Sequence, residues 1–215
     1  MTDPRKAALG RLHLLTDVVL QSRFSHEDLA RLGIAGGADT IQLREKAGST
    51  RSMIEVAKRM LMVCRQAGVP LIVNDRIDVA LAADADGVHL GQTDFPIPLA
   101  RELLGKNKLI GGSAATLEEA RVCLAEGADY IGFGPVYVTG SKADAGPVSG
   151  PETLKRVVET IPLPILAIGG ITAENLPEVM KAGAYGIAVI SAVCCQLDPE
   201  GATRSLHDAL ERSRG

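Results

Sequence analysis

Gly127-Ala-Asp-Tyr-Ile-Gly-Phe133 joins a turn of small residues to a short apolar run, and the same unit returns three times. The other copies are Gly37-Ala-Asp-Thr-Ile-Gln-Leu43, Ala85-Asp-Gly-Val-His-Leu90 and Gly183-Ala-Tyr-Gly-Ile-Ala-Val189. Each comes after a stretch with helical periodicity. Its small residues end that helix and turn the chain, and the apolar run beyond them has the length of a buried strand. Between the copies lie further aliphatic runs at 11–16, 69–75, 108–114 and 163–170, so the chain reads as eight strands.

Amphipathic segments separate these runs, among them HEDLARLGIAG from His26, TRSMIEVAKRMLMVCRQAG from Thr50, TLEEARVCLAEG from Thr116 and AENLPEVMKAG from Ala173. Thr116 and Glu119 have the spacing of a capping box, Pro151 suits a first helical turn, and Thr172 is placed to cap the following helix. Strict alternation of strand and helix predicts parallel strands with helices outside. Right-handed crossovers then close the chain into a single (β/α)8 barrel over residues 1–215. An open doubly wound sheet is the alternative, and no Gly-x-Gly-x-x-Gly follows the first strand to support it.

The bulk numbers agree with a large aliphatic core. Of 215 residues 46% are hydrophobic and 23% charged, an ordinary balance for a soluble protein that buries a large core. A net charge of -3, 3% aromatic residues and no Trp leave neither a basic face nor stacking platforms for nucleic acid. No apolar run is long enough to span a bilayer, and the first residues lack the apolar centre of a signal peptide, so the expectation is a cytoplasmic protein without a membrane partner. Cys64, Cys123, Cys194 and Cys195 have no zinc or redox spacing and are expected to be buried small hydrophobes. A homo-oligomer is compatible with the chain, but nothing in the sequence sets its state.

In a parallel barrel the working groups stand where strands end and loops begin. After the second strand, Gln42, Arg44 and Lys46 alternate, so an extended chain turns all three to one side. The third strand ends at Asn74-Asp75 and the fourth at His89-Leu-Gly-Gln-Thr-Asp94, which sets two carboxylates on neighbouring strands. Mg2+ uses one or two carboxylates and completes its shell with water and phosphate oxygens, so Asp75 and Asp94 are candidate ligands. Ser113 closes the fifth strand. The sixth loop, 134–150, is long and rich in Gly, Ser, Thr and Pro, and it carries Thr139, Ser141 and Lys142. A loop of that length is commonly functional. Gly169-Gly170 and Ile190-Ser191 follow the seventh and eighth strands, where barrels of this kind often hold a phosphate on backbone N–H groups.

Plainer readings exist for each group. Arg44 and Lys46 taken singly would be solvated surface charges, Asp75 would favour the start of the next helix, and a Gly-Gly pair would be turn geometry. His89 is expected mainly to satisfy the barrel interior, and Asp39, Asp86 and Asp129 to serve structure at the opposite end. Convergence of cations, carboxylates and phosphate-type turns at one end is what these readings leave unexplained.

The chain resembles the thiamin phosphate synthase family over nearly its whole length. The resemblance rests on IQLREK (41–46), VNDR (73–76), GVHLGQTD (87–94), GADYIGFGPVYVTGSKADA (127–145), AIGGIT (167–172) and VISAV (189–193), six blocks in order. It implies a transferase that joins a pyrimidine diphosphate to a thiazole phosphate, carboxylated or plain, with dissociative loss of pyrophosphate. It further implies that Gln42, Arg44, Lys46, Asn74, Ser113 and Lys142 hold the pyrimidine diphosphate, with Arg44, Lys46, Ser113 and Lys142 as the catalytic set. Asp75 and Asp94 would bind Mg2+, and Thr139, Ser141, Gly170, Ile190 and Ser191 would border the thiazole phosphate.

Two departures stand out. Relatives commonly read Ser-Thr-His-Thr where this chain has Ser113-Ala-Ala-Thr116, and Pro where Val138 stands. Ala115 donates no side-chain hydrogen bond, so the role of that His is absent or filled by another residue. A paralogous thiazole tautomerase is the enzymatic alternative, weakened because it employs the His replaced by Ala115. A non-catalytic ligand-binding barrel is the alternative outside enzymes.

Overall fold

The computed structural model describes residues 9–141 and 146–213, and its repeated turns show how the strands are brought into line. Gly37, Gly127 and Gly183 have φ of 99°, 88° and 91°, a left-handed backbone that glycine enters without Cβ strain. In the remaining copy Asp84, at φ 56°, fills that place. Two residues on, the carboxylates of Asp39, Asp86 and Asp129 accept the N–H groups of Leu12, Leu71 and Ile110 at 2.7, 2.9 and 2.8 Å. Each aspartate thus ties the strand it precedes to the strand before. In the fourth copy Tyr185 donates its hydroxyl to Leu9 O at 2.7 Å.

The strands are β1 (Leu12–Thr16), β2 (Thr40–Leu43), β3 (Leu71–Asn74), β4 (Gly87–Leu90), β5 (Leu109–Ala114), β6 (Tyr130–Phe133), β7 (Ile165–Ile168) and β8 (Gly186–Val189). All pair in parallel, and β8 returns to β1 with Ile187 beside Leu12, so the sheet is a closed barrel. Seven helices follow the first seven strands in turn: α1 (His26–Ala35), α2 (Thr50–Ala67), α3 (Ile77–Ala83), α4 (Ile97–Leu104), α5 (Leu117–Glu126), α6 (Gly150–Thr160) and α7 (Leu176–Lys181). A short α8 (Ser191–Cys194) and the final α9 (Pro199–Arg212) complete the ring.

Alternation along each strand divides the core. Outward residues such as Leu14, Ile41, Val73, Val88, Ile110 and Ile131 pack against the helices in one large buried cluster. Inward residues Ile72, Leu109, Tyr130 and Leu166 form a separate floor inside the barrel. Full burial of one such side chain stabilises by about 1.5–3 kcal/mol, which makes this floor a closed base.

The Thr116/Glu119 capping box is present at α5, and Pro151 lies in the first turn of α6. Thr172, in contrast, does not cap the next helix. Pro177 sits in the first turn of α7, which begins only at Leu176, and Thr172 instead donates its own N–H to Asn175 Oδ1 at 2.9 Å. Cys64, Cys123 and Cys194 are buried, but Cys195 is exposed, because the unforeseen α8 ends there and turns it outward. Among the described residues no helix is long and apolar enough to cross a membrane.

Candidate active site

Where β2 leaves the sheet, Arg44 and Lys46 keep the inward side that the alternation predicts, while Glu45 between them turns to His26 Nε2 at 3.3 Å. Arg44 is paired through Nη1 with Asp17, a carboxylate just past β1 that is only 1% exposed. The other oxygen of Asp17 accepts the N–H groups of Val19 and Leu20 at 2.9 and 3.1 Å. A buried carboxylate fixed by its own turn therefore fixes the guanidinium. Arg44 Nε and Gln42 Oε1 are nevertheless buried without a hydrogen-bond partner among the described residues. Such atoms call for a ligand or water, since leaving them bare costs roughly 1–3 kcal/mol each.

Asp75, at φ 62°, gives its N–H to His89 O at 2.8 Å and pairs with the Lys46 ammonium. Its carboxylate and that of Asp94 line the same cavity and act on each other's ionisation. Burial pushes both upward. For Asp75, the Lys46 ammonium and the bond from Asp94 outweigh burial and hold it below the usual carboxylate range. For Asp94, burial and the neighbouring Asp75 outweigh the Gly91 N–H, and its carboxyl is raised. Two carboxylates that compete for one proton form a donor pair for a hard dication with open positions left for water and substrate oxygens. No group of three or more His, Cys, Asp or Glu side chains suited to a metal occurs among the described residues, so a site here would draw the rest of its shell from ligand and solvent.

The opposite wall is mostly backbone and hydroxyls. Val136 and Tyr137 donate their N–H groups to Ile168 O and Gly169 O at 2.9 and 3.0 Å, pinning the sixth loop to the end of β7. Ser141 then reaches across and donates to Ser191 Oγ at 2.8 Å. Gly169 and Gly170 have φ of 98° and 63°, and the Cβ of any other residue at Gly170 would overlap Val138 O.

Both walls enclose one cavity of about 730 Å3, lined by Arg44, Lys46, Asn74, Asp75, Asp94 and Ser113 on one side and Thr139, Ser141, Gly170, Ile190 and Ser191 on the other. That volume is in the range of pockets for small organic ligands. Gln42 does not reach this cavity. It lies one layer deeper, in a small chamber with His13, His89 and Tyr130, which Asn74 and Ser113 also border. Lys142 falls outside the described residues. Asp17 is not among the residues that the sequence singles out, although it stands directly after the first strand, where the strand-end rule finds the other carboxylates.

Comparison with known proteins gives a consistent result. Residues 12–193 match the family model described as thiamine monophosphate synthase. The thiamine-phosphate synthase of Salinibacter ruber is 48% identical over 211 residues, covering 97% of this chain and 93% of that protein. That of Methanocella arvoryzae is 51% identical over 203 residues, covering 94% of this chain and 96% of the other. Among solved structures, the thiamine phosphate pyrophosphorylase of Pyrococcus furiosus superposes with a TM-score of 0.89 at 41% identity, covering 99% of this chain and all 100% of that one.

Proposed function

The chain belongs to the thiamine monophosphate synthase family and is a transferase, and from that premise we propose that it joins 4-amino-5-hydroxymethyl-2-methylpyrimidine diphosphate to a methyl-hydroxyethylthiazole phosphate, carboxylated or plain, with release of pyrophosphate. One observation carries this reading at the level of the site. A wall of cations and carboxylates and a wall of glycines and hydroxyls share a single cavity, as two anionic substrates reacting with each other require.

In this reading the diphosphate lies against Arg44 and Lys46, whose charges neutralise the leaving oxygens as the carbon–oxygen bond breaks. Ser113 donates a hydrogen bond to the same group, and Lys142 adds a third cation from the sixth loop. Asp75 and Asp94 hold Mg2+, which when bound supplies the positive charge that makes the diphosphate a better leaving group. Asn74 meets the pyrimidine from below, and Gln42 meets it only where the ligand dips into the chamber one layer deeper, where the Gln42 oxygen has no partner among the described residues. Thr139, Ser141, Gly170, Ile190 and Ser191 hold the thiazole phosphate. The bond breaks with its electron pair leaving on pyrophosphate. The pyrimidine amino group stabilises the resulting methylene cation, the thiazole nitrogen lone pair captures it, and where the thiazole is carboxylated its carboxyl leaves as CO2 while solvent returns a proton to that ring carbon. No side chain need act as acid or base in that sequence. The protein aligns the partners and keeps water from the cation. Small substrates and three buried thiols suit a cytoplasmic setting.

The test is direct: incubate the purified protein with both substrates and Mg2+ and measure products. Equal amounts of thiamin phosphate and pyrophosphate are expected. Conversion of the thiazole phosphate without pyrophosphate, or binding without conversion, overturns the reading.

A further inference from the structure

Beneath the cavity, three strands place a tyrosine, a histidine and a serine in line. The register sets Gly111 beside both His89 and Tyr130, and Ser113 beside Gly132. His89 on β4 and Tyr130 on β6 therefore meet across the β5 strand between them, over Gly111. A Cβ at Gly111 would overlap both rings, at His89 Nδ1 and Tyr130 Cζ, and one at Gly132 would lie 3.0 Å from His89 Cε1. The space that glycine leaves is filled by a contact of defined geometry: His89 Nδ1 is 3.2 Å from the Tyr130 hydroxyl, and His89 Nε2 is 2.9 Å from Ser113 Oγ.

We propose that His89 is a positioning residue for Ser113, holding the serine so that its hydroxyl proton points into the cavity toward the leaving diphosphate, and that Tyr130 selects the tautomer of His89 that does so. The inference rests on the role given to Ser113 above. Tyr130 is buried, and burial pushes its hydroxyl far above the ordinary tyrosine range, so it keeps its proton. That proton is best placed on a ring lone pair, which makes Nδ1 the acceptor and puts the ring hydrogen on Nε2. Nε2–H then donates to Ser113 Oγ, and the serine retains its own hydrogen for an anionic oxygen. The opposite tautomer reverses both of these bonds. Ser113 would spend its hydrogen on Nε2 and turn only lone pairs toward the diphosphate, and the Tyr130 hydrogen would lose His89 as its acceptor. One tautomer gives a donor and the other repels.

A purely packing role for His89 predicts different data. Acting through Ser113, His89→Leu lowers kcat about thirtyfold in the natural enzyme yet changes the Ser113→Ala enzyme by less than about twofold. His89→Gln sets an amide N–H near the place of Nε2–H and recovers about tenfold of that loss, while KM for the thiazole phosphate stays within about twofold. Losses from His89→Leu and Ser113→Ala that multiply in full, or Gln performing no better than Leu, overturn the proposal. Nitrogen-15 NMR of the unmutated protein supplies a check that needs no variant. The His89 ring is expected to carry its proton on Nε2, and the Nδ1–H tautomer would contradict the proposal. If the unmutated enzyme releases no pyrophosphate at all, it is the reading of the reaction that has failed.

Discussion

Aspartate is used in opposite ways at the two ends of this barrel. At the lower end Asp39, Asp86 and Asp129 each accept a strand N–H, and Asp129 also takes the Arg101 guanidinium at 2.5 Å. At the rim Asp75 and Asp94 face each other, one held low by Lys46 and the other raised by burial and its neighbour. Backbone bonds spend the carboxylates of the lower end on joining strands. Those of the rim are crowded together and leave lone pairs for something that is not protein. Burial alone does not separate the two uses, since Asp129 at one end and Asp17 at the other are both buried; what their oxygens already hold does.

The largest effect should come from the rim. Asp94→Ala is expected to lower kcat about a thousandfold, roughly 4 kcal/mol of transition-state stabilisation, while folding stability falls by no more than about 1 kcal/mol. Turnover unchanged at limiting Mg2+ would remove Asp94 from the metal site. The mirror case is Asp129→Ala, which strands the Ile110 N–H and takes the carboxylate from Arg101, and is expected to cost about 3 kcal/mol in urea unfolding. Its kcat per folded molecule should stay within about twofold, and a deep fall in kcat would erase the division between the ends.

A pH-dependent effect, small near neutral pH, belongs to the interior. Burial pushes the His13 imidazole down to about 3, against only a partial lift from the Gly10 carbonyl. Proton uptake sets the sign: below the ordinary histidine value the unfolded chain takes a proton that the folded chain refuses. Stability contributed by the neutral ring is therefore complete above about pH 6.5 and declines by about 1.4 kcal/mol per pH unit as pH falls toward 3. Removing the ring in His13→Gln should flatten that slope by one proton between about pH 6 and 4, measured as the urea midpoint at each pH. An unchanged slope would mean that the ring is protonated in the folded state.

How much the chain alone reveals depends on how local each signal is. The repeated turns announce themselves because helix end, left-handed residue, capping aspartate and strand are contiguous, as at Gly127 to Phe133. Strand alternation likewise sends Arg44 and Lys46 to one side without knowledge of the partner strands. The Asp17–Arg44 pair is different. It joins residues 27 positions apart on neighbouring strands, and a lone Asp after an apolar run reads equally well as a turn residue. The link from Tyr130 through His89 to Ser113 depends on the stagger of three parallel strands, which no short stretch encodes. Thr172 misleads because a cap signal there competes with Pro177, whose place in the first turn of α7 sets the start. Ala115 removes a polar group from the rim, and its N–H is taken up by Glu119 at 2.6 Å, so the backbone there is satisfied within the chain.

Asp75 and Asp94 gathered around a dication, beside Arg44 and Lys46, are the core of the proposed chemistry. Crystals soaked with the pyrimidine diphosphate and Mn2+ in place of Mg2+, measured at a wavelength where manganese scatters anomalously, would locate the ion directly. The expected result is one anomalous peak within bonding distance of both carboxylates and of diphosphate oxygens. A peak elsewhere, or a diphosphate lying only against Thr139, Ser141 and Ser191, would contradict it.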